Sequence, residues 1–466
     1  MERIPTKQII EDKKNGLSDK EIGDKYRVNL KFIERVITKE TGINISYPSN
    51  IKKINKLYPK YFNLENTSVW SFKSRGNWAS HNGNYRGNWS PYIPRNIILR
   101  YSEENDLVLD YFCGAGSTAV ECKLLGRNFI GVDINSKAVE LAKTNLDFGE
   151  NNIFFNSDIV LKVGDARNLE FIDNSSVDLI CAHPPYSNII NYTYNNPDDL
   201  SNYKVDKFIG EIEKVAKESY RILRDKKYCA ILIGDMRKNK NVIPLGFWTI
   251  RKYLEAGFSI EELIIKRQHN CKTTGFWYTN SIKYNFLLLA HEYLVVFKKT
   301  KNAIKESRMN NKNNFIQIKN VVIGKDVELE SKTVWVFTKD NWLNKTISNL
   351  VKRYSNGNFL IYNGQENLGR ELDLVIIFYN ERQFNYFNLI KEKVKRDGIL
   401  AIICEDCRLN NNLLFPTATT IEGEFNKYNE FKIKEIVIVS IENGIFIKNL
   451  ENLEISHKNI LIYKKS

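Results

Sequence analysis

Apolar and polar residues follow each other along this 466-residue chain in blocks that predict buried strands separated by amphipathic helices. Leu107–Phe112 (LVLDYF) and Val177–Ala182 (VDLICA) are short, largely apolar runs of the kind found in parallel strands. Apolar residues recur at helical spacing in Thr118–Leu125 and in Asp206–Leu223. This alternation predicts an α/β fold built on a mostly parallel sheet.

The stretch Leu107–Asn135 has the pattern of a βαβ unit that binds a cofactor. Its first strand runs into a CGAGST turn, where Gly114 and Gly116 leave room for a ligand against the backbone. Asp133 follows about 20 residues later, where a carboxylate can accept from a ribose hydroxyl. The turn lacks the Lys-Ser/Thr pair of a triphosphate-binding loop, and Asp110 at the strand end suits a cationic ligand. These features predict S-adenosylmethionine as the cofactor.

Three motifs give this region a family resemblance. DYFCGAGST at 110–118, GVDI at 131–134 and His-Pro-Pro-Tyr at 183–186 resemble motifs I, II and IV of the amino-group DNA methyltransferases. The resemblance covers about residues 65–300 and implies a Rossmann-like, seven-stranded class I methyltransferase sheet. A Trp- and Arg-rich segment before the first strand stands in the position of motif X, which closes over the cofactor. The cofactor-binding residues that the resemblance implies are Trp89, Pro91, Asp110, Phe112, Gly114, Gly116, Thr118, Asp133, Ile134, Asp165 and Ala166.

Motif IV carries the methyl-transfer chemistry of this family. An exocyclic base amine is a poor nucleophile because its lone pair is delocalised into the ring, and rigidly held acceptors push it toward tetrahedral geometry. The resemblance implies that His183, Pro184 and Pro185 orient the amine, and that Tyr186 stacks on a base swung out of the duplex. His183 replaces the family's Asp, Asn or Ser and can accept only through an unprotonated ring nitrogen. Two interpretations stay open: His183 contacts the amine, or it only shapes the turn.

The composition favours a polyanionic partner. Lys and Arg number 69 against 55 Asp and Glu, a formal net charge of +14, although a lysine-biased genome would give the same excess. The sequence has no apolar stretch of about 20 residues and no apolar core of a signal peptide at residues 1–10. Seven cysteines without a disulfide framework suit a reducing compartment, so we expect a cytoplasmic protein. Cys404 and Cys407 form a single CxxC, for which strand-end packing is expected, and we predict no metal.

Residues 1–48 are predicted to form a helix-turn-helix-like module, with Ser18 and Asn29 as N-caps. The helix after Asn29 would be offered to a DNA groove; the alternative is a helical hairpin packed on the enzyme. A segment between the last two strands, rich in aromatic and amide residues, is expected to help hold the target base, or to be a simple hairpin loop. The predicted substrate-binding residues are Lys31, Arg35, Arg86, His269, Asn270, Trp277 and Tyr278.

The C-terminal third echoes the methyltransferase region in the same order. TVWVFTKDNW echoes SVWSFKSRGNW, LAIICEDCRLN echoes CAILIGDMRKN, and HKNILIYKK echoes HEYLVVFKK. The glycine turn has become NGQEN, and Pro-Pro-Tyr has no counterpart. We therefore predict a degenerate methyltransferase-like repeat. The predicted domains are a helical module at 1–48, a linker at 49–64, the methyltransferase at 65–300, a linker at 301–329 and the repeat at 330–466.

The motifs together predict a DNA methyltransferase that acts on adenine N6 or cytosine N4 of double-stranded DNA, in a restriction-modification or related role. A cognate restriction endonuclease is then an expected partner, and an internal pseudo-dimer makes a monomer plausible. An RNA base-amine methyltransferase is the alternative enzyme, since tRNA enzymes use a similar strand end. A DNA-binding protein that senses the cofactor without catalysis is the alternative of another class.

Overall fold

A computed structural model of the protein describes residues 6–43, 54, 56–148, 157–194, 196–269, 272–300, 321–324, 328–362, 371–379, 387–409, 412–442 and 452–466. Three helices come first and pack around their own small core of isoleucine and valine side chains. Ser18 and Asn29 cap the second and third helices, so both predicted caps are confirmed. The helices are α1 (Thr6–Lys14), α2 (Asp19–Tyr26) and α3 (Leu30–Thr41).

The next part of the chain alternates strands and helices, as the apolar pattern predicts. Its strands are β1 (Val69–Trp70), β2 (Leu107–Asp110), β3 (Asn128–Asp133), β4 (Ile159–Val163), β5 (Val177–Ala182), β6 (Leu223–Ile233), β7 (Met236–Lys238), β8 (Asn241–Ile243), β9 (Phe258–Arg267) and β10 (His291–Lys299). Its helices are α4 (Tyr92–Tyr101), α5 (Ser117–Leu125), α6 (Ser136–Leu146), α7 (Val205–Ile222), α8 (Leu245–Glu255) and α9 (Lys272–Lys283). α9 lies in the segment that was expected to help hold the target base, with a simple hairpin loop as the alternative; the helix was not predicted.

Seven of these strands follow each other in the sheet in the order β4-β3-β2-β5-β6-β10-β9, and the short β1 pairs in parallel with β9. All neighbours are parallel except β10, which runs antiparallel to both β6 and β9. This is the predicted Rossmann-like methyltransferase sheet, and the fold class is confirmed. The strand order reverses between β2 and β5, where an open α/β sheet leaves a crevice at its carboxyl edge.

The C-terminal part builds a second sheet in the order β11-β17-β18-β14-β13-β12. Strand for strand this is the order β1-β9-β10-β6-β5-β2 of the first sheet, with the same directions. Residues 363–371 alone connect β12 to β13, which leaves no room for counterparts of β3 and β4. Its elements are β11 (Val334–Thr338), α10 (Trp342–Tyr354), β12 (Phe359–Tyr362), β13 (Leu372–Phe378), α11 (Phe387–Lys393), β14 (Val394–Cys404), β15 (Cys407–Arg408), β16 (Leu414–Phe415), α12 (Thr417–Phe425), β17 (Phe431–Glu442) and β18 (His457–Lys465). Residues 54 and 56–64 of the predicted linker at 49–64 are described and form no helix or strand, whereas most of the predicted linker at 301–329 lies outside the described residues.

Two matched ion pairs join the halves in a pseudo-two-fold arrangement. Arg237 pairs with Glu435 at 2.5 Å, and its counterpart Arg408 pairs with Glu262 at 2.5 Å. Both glutamates are buried, and each also accepts a backbone N–H from the half that supplies its arginine: Glu435 from Leu287, and Glu262 from Leu453. The same symmetry relates two hydrogen bonds between a histidine and a hydroxyl. Nδ1 of His291 lies 2.9 Å from the Thr333 hydroxyl, and Nδ1 of His457 lies 2.7 Å from the Ser68 hydroxyl. The two sheets therefore meet as two subunits of a symmetric dimer would.

Removing one arginine of these matched pairs should destabilise the whole chain. Arg237→Ala leaves Glu435 buried without its cation, and breaking a buried pair in this way costs about 3–5 kcal/mol of unfolding free energy. Urea denaturation measures the loss. Arg224→Ala is the control, because Arg224 is half exposed in its pair with Asp178 and should cost less than about 1 kcal/mol. Equal losses in the two variants would show that the matched pairs do not hold the halves together.

Candidate active site

The turn between β2 and α5 is shaped by two glycines in the left-handed region. Gly114 has φ +49° and Gly116 has φ +81°, and Gly116 is the N-cap residue of α5. A Cβ on Gly116 would lie 3.0 Å from the Cβ of Ala142, and one on Gly114 would lie 2.9 Å from the ring of Tyr85. Glycine is therefore needed here for both backbone conformation and space.

Two carboxylates stand at this turn, Asp110 buried and Asp133 half-buried. Asp110 accepts from the backbone N–H of Phe112 at 3.0 Å and from the Thr118 hydroxyl at 2.6 Å. Asp133 accepts the N–H of Gly114 at 2.9 Å. Burial raises the pKa of Asp110 to about 7 and that of Asp133 to about 6. A ligand that brings a positive charge or hydroxyl donors would favour the ionised form of both groups.

These carboxylates open into a cleft of about 700 Å³, counted with its mouth, which is the size of a nucleoside-containing ligand site. Aromatic side chains and backbone form most of its wall. Of the predicted residues, Gly116, Thr118, Pro91, Pro184 and Tyr186 do not line it: Thr118 supports Asp110, and Gly116 starts α5. The predicted residues that line the cleft are Trp89, Asp110, Phe112, Gly114, Asp133, Ile134, Asp165, Ala166, His183 and Pro185.

Asp165 has a competing partner within the protein. Its carboxylate pairs with Arg167 at 2.6 Å, and Arg167 also pairs with Glu211 at 2.7 Å. Asp165 still lines the cleft and is partly exposed. An adenine amine would therefore meet a carboxylate whose charge is already partly compensated.

The His-Pro-Pro-Tyr motif begins where β5 ends, next to β2 in the sheet. His183 lies under the ring of Trp89, with centroids 5.5 Å apart and planes 19° from parallel. Its Nε2 lies 2.8 Å from the hydroxyl of Tyr186, which donates to Glu292 at 2.8 Å. Burial lowers the pKa of His183 to about 4, so its ring is neutral at physiological pH. A neutral ring always keeps one nitrogen that can accept a hydrogen bond.

The segment before α4 covers the cleft and is held by Arg75. The Arg75 guanidinium donates to the carbonyl of Asn88 at 2.6 Å and to that of Trp89 at 2.7 Å. Tyr85, from the same segment, stacks on Tyr192 at 5.9 Å. These contacts give the Trp- and Arg-rich segment a defined structure over the glycine turn.

Several cleft residues have no counterpart among the predicted ones. Tyr192 and Asp199 belong to the stretch NYTYNNPDDL that directly follows the Pro-Pro-Tyr motif, and its density of aromatic and amide residues was the available signal. The side chain of Asp199 is buried and accepts from the backbone N–H groups of Thr193 and Ser201. The lining residues that were not predicted include Tyr85, Gly87, Asn88, Tyr192, Asp199 and Leu200.

The predicted substrate-binding residues are distributed unevenly. Arg35 is exposed on α3, and Trp277 and Tyr278 are 47% and 49% exposed on α9. His269 hydrogen-bonds the Ser71 hydroxyl at 2.9 Å near the end of β9. Arg86 instead forms ion pairs with Asp19 and Glu34, which engage its guanidinium within the protein. The Lys31 side chain and Asn270 lie outside the described residues.

No helix in the described ranges is long and apolar enough to cross a membrane. No cluster of three or more His, Cys, Asp or Glu side chains in the same ranges could hold a metal ion. The absence of a metal from the reaction stays a prediction.

Comparison with known proteins gives matches to methyltransferases. The sequence profile of a family described as DNA methylase matches residues 8–144, and that of a methyltransferase domain matches residues 102–255. The chain is 47% identical over 58 residues to the type II methyltransferase M2.LlaDCHI of Lactococcus lactis subsp. cremoris, covering 12% of this chain and 22% of that protein. It is 43% identical over 79 residues to the type II methyltransferase M1.MboII of Moraxella bovis, covering 16% of this chain and 30% of that protein.

A further relative acts on another class of nucleic acid. The chain is 33% identical over 103 residues to the tRNA (guanine(10)-N2)-dimethyltransferase of Methanothermobacter thermautotrophicus, covering 22% of this chain and 29% of that protein. The chain thus spans less than a third of the length of each of these three relatives. The profiles that match residues 8–144 and 102–255, together with the type II relatives, make this chain similar to the amino-methyltransferases, and S-adenosylmethionine is the cofactor that this similarity implies.

Proposed function

We propose that the protein transfers a methyl group from S-adenosylmethionine to an exocyclic base amine of DNA, adenine N6 or cytosine N4. One observation carries the proposal. The glycine turn after β2 and the His-Pro-Pro-Tyr motif after β5 lie at neighbouring strand ends and share one cleft. The similarity to type II DNA methyltransferases supports DNA as the substrate.

The cleft fits a cationic, adenosine-containing cofactor. Asp110 and Asp133 would face its charged and hydroxyl groups. Because burial raises the pKa of both carboxyls, such a ligand would shift them toward the ionised form. Phe112, Ile134 and Ala166 offer apolar contacts, and Trp89 covers the side toward His183. When bound, the cofactor supplies an electrophilic methyl group on a sulfonium, and the sulfur keeps the bonding electrons as the methyl leaves.

The residues at the end of β5 would prepare the target amine. His183 is neutral and can accept one N–H of the amine, which raises electron density on the amine nitrogen. Pro184 is buried and, with Pro185, restricts the backbone that presents these acceptors. Water is kept from the site by the Arg75-held segment and the stacked rings of Tyr85 and Tyr192.

We propose that DNA approaches along the end of β9 and helix α9. The pKa of His269 is lowered by its partial burial and by four cations around it, from Arg267, Lys266, Lys73 and Lys332. Trp277, Tyr278 and Tyr284 are exposed on or beside α9, with Lys240 above the Tyr284 ring at 4.2 Å. Cations interleaved with exposed aromatic rings suit a phosphate backbone with unstacked bases. Lys332 comes from the degenerate half, so both halves would contact DNA.

The N-terminal helices have two roles in this proposal. The exposed Arg35 and Lys39 on α3 would meet DNA as in a helix-turn-helix. The adjacent face of α3 is docked on the enzyme, because Glu34 pairs with Arg86 and the carbonyl of Gly42 accepts from Asn135 at 3.0 Å. We therefore assign Arg86 to holding the module rather than to binding DNA.

The chain would work as a monomer, since the degenerate half occupies the position of a second subunit. A restriction endonuclease is the partner that a modification role implies.

The similarity to a tRNA methyltransferase favours RNA as the second candidate substrate. A cofactor sensor without catalysis is the third proposal, and the His-Pro-Pro-Tyr motif argues against it.

The proposed reaction predicts methyl transfer to DNA that depends on Tyr186. Protein incubated with tritiated S-adenosylmethionine and either genomic DNA or total RNA should label the DNA, and nucleoside mass spectrometry should identify N6-methyladenine or N4-methylcytosine. Tyr186→Ala should reduce labelling by about 100-fold or more, because the stacking surface for the flipped base is lost. Label in RNA alone would move the function to the second candidate. No label in either, with the cofactor still bound, would support the sensor.

The proposed DNA surface predicts a change in salt dependence. Lys73→Ala and Lys332→Ala should each raise KM for DNA and make the logarithmic salt slope shallower by about 1, because one phosphate contact is lost. The rate at saturating DNA should stay unchanged. Lys217→Ala removes an exposed lysine from α7 and serves as the charge-matched control. Salt slopes equal to that of the control would place the DNA elsewhere.

A further inference from the structure

Four side chains form a continuous chain of hydrogen bonds behind the motif at the end of β5. His183 Nε2 lies 2.8 Å from the Tyr186 hydroxyl, and that hydroxyl lies 2.8 Å from Oε1 of Glu292. Oε2 of Glu292 accepts from Lys266 Nζ at 2.7 Å. Glu292 is 9% exposed and Lys266 is 18% exposed. Glu292 is the second residue of β10 and Lys266 the second-to-last of β9, so neither belongs to the motifs that suggested the function.

The protons in this chain can be assigned by counting donors. Burial alone would raise the pKa of Glu292, but Lys266 and the hydrogen bonds it receives lower it to about 2, so Glu292 is ionised. Burial and Glu292 raise the pKa of Tyr186 well above its usual value, so the phenol keeps its single proton. That proton must point to the carboxylate, which cannot donate. The Tyr186 oxygen can then only accept from His183, so the proton of the neutral imidazole sits on Nε2 and Nδ1 keeps its lone pair.

The surroundings of His183 make the other tautomer accessible. The Gly87 carbonyl faces the ring and would accept from a proton on a ring nitrogen. Glu292 favours the charged ring, whereas burial, Lys266 and Arg75 disfavour it. Without the carboxylate, Tyr186 could turn its proton to Nε2, and the imidazole proton would move to Nδ1. The charge of Glu292 therefore decides which nitrogen is left as the acceptor.

The backbone makes room for this network. A Cβ on Gly234, at the end of β6, would lie 2.7 Å from the Tyr186 ring and 3.3 Å from Cγ of Glu292. The strand pairing relates Gly234, Glu292 and Lys266 to Glu405, Lys458 and Val439 of the degenerate half. There Lys458 pairs with Glu405 at 2.6 Å, so the network has been replaced.

Three residues that lie between the two halves are, in contrast, the same in both halves. Arg237 and Glu262 keep their counterparts Arg408 and Glu435, and His291 keeps His457. The degenerate half has thus kept the residues that hold the halves together. It has no equivalents of Gly234, Glu292 and Lys266, just as it has no equivalent of Pro-Pro-Tyr. This shared absence associates these three residues with the reaction rather than with the fold.

We propose that Glu292 is a positioning residue which, through the Tyr186 hydroxyl, fixes the proton of His183 on Nε2 and keeps Nδ1 as the acceptor for the target amine. This inference rests on the proposed amine methylation. It explains how histidine can serve where the family uses Asp, Asn or Ser: the ring needs an external group to define its acceptor.

The direct test is the tautomer of His183 in the full-length protein. The chain has five histidines, so selective ¹⁵N labelling of histidine, with His183→Gln for assignment, isolates the signal. At pH 7.5 the wild type should show the Nε2–H form, and Glu292→Gln should shift the ring toward the Nδ1–H form. The control Glu262→Gln makes the same change at a buried, paired glutamate of the interface and should leave His183 unchanged. An Nδ1–H ring in the wild type, or the same tautomer in Glu292→Gln, would overturn the proposal.

Kinetics then test the consequence for the reaction, on whichever nucleic acid the wild type labels. Glu292→Gln should lower kcat about 100-fold with the cofactor Kd within twofold of wild type, since a positioned proton acceptor contributes at least this much. Tyr186→Phe removes only the hydroxyl and should do the same, and the double variant should be no slower than either single one. Additive losses, or an unchanged kcat in Glu292→Gln, would contradict the role. An inactive wild type would count against the proposed function, whereas the NMR result decides the tautomer independently.

Discussion

The active cleft depends on the pairing of two parallel strands, β2 and β5. Val108 pairs with Leu179 and Leu109 with Ile180, so Asp110 and His183 end neighbouring strands at the same edge of the sheet. The strand order reverses here, and the connections leave in opposite directions, which opens a crevice between them. The glycine turn and the His-Pro-Pro-Tyr motif are separated by residues 119–182, yet this one pairing brings them to a single cleft.

The second sheet repeats part of the strand order of the first. Its sheet keeps the strand order around β14 and β18, and its hairpin β15–β16 extends the first sheet, with Leu414 paired to Ile260 of β9. An edge strand such as β9 would otherwise expose unpaired backbone groups along part of its length. The degenerate half therefore stabilises the catalytic sheet by covering its edge and by the paired Arg237–Glu435 and Arg408–Glu262 contacts.

The sequence predicted those features that depend on local pattern. The bounds of β5 and β9, the caps Ser18 and Asn29, and the order of the repeat follow from periodicity and turn chemistry, which act over a few residues. Contacts between distant segments could not be predicted in this way. Arg86 resembles a DNA-binding arginine in a basic, aromatic segment, but its charge is engaged by Asp19 and Glu34 once the helices dock.

Glu292 was missed for the same reason. In the sequence it is a charged residue at the start of an apolar strand, where exposure to solvent is the usual expectation. Only the approach of Gly234 and the motif shows that it is buried beside Tyr186. Likewise, the raised pKa values of Asp110 and Asp133 arise from burial, which becomes known only when the sheet and its cover are assembled.

The two sheets share their strand order, and the cleft at the turn after β2 is the proposed cofactor site. Isothermal titration of the full-length protein with S-adenosylmethionine tests it most directly. We expect one molecule bound per chain, and binding weakened at least about tenfold in Asp110→Asn, because the carboxylate that would face the cation is lost. Two molecules per chain would contradict the account, as would a single site whose affinity is the same in Asp110→Asn.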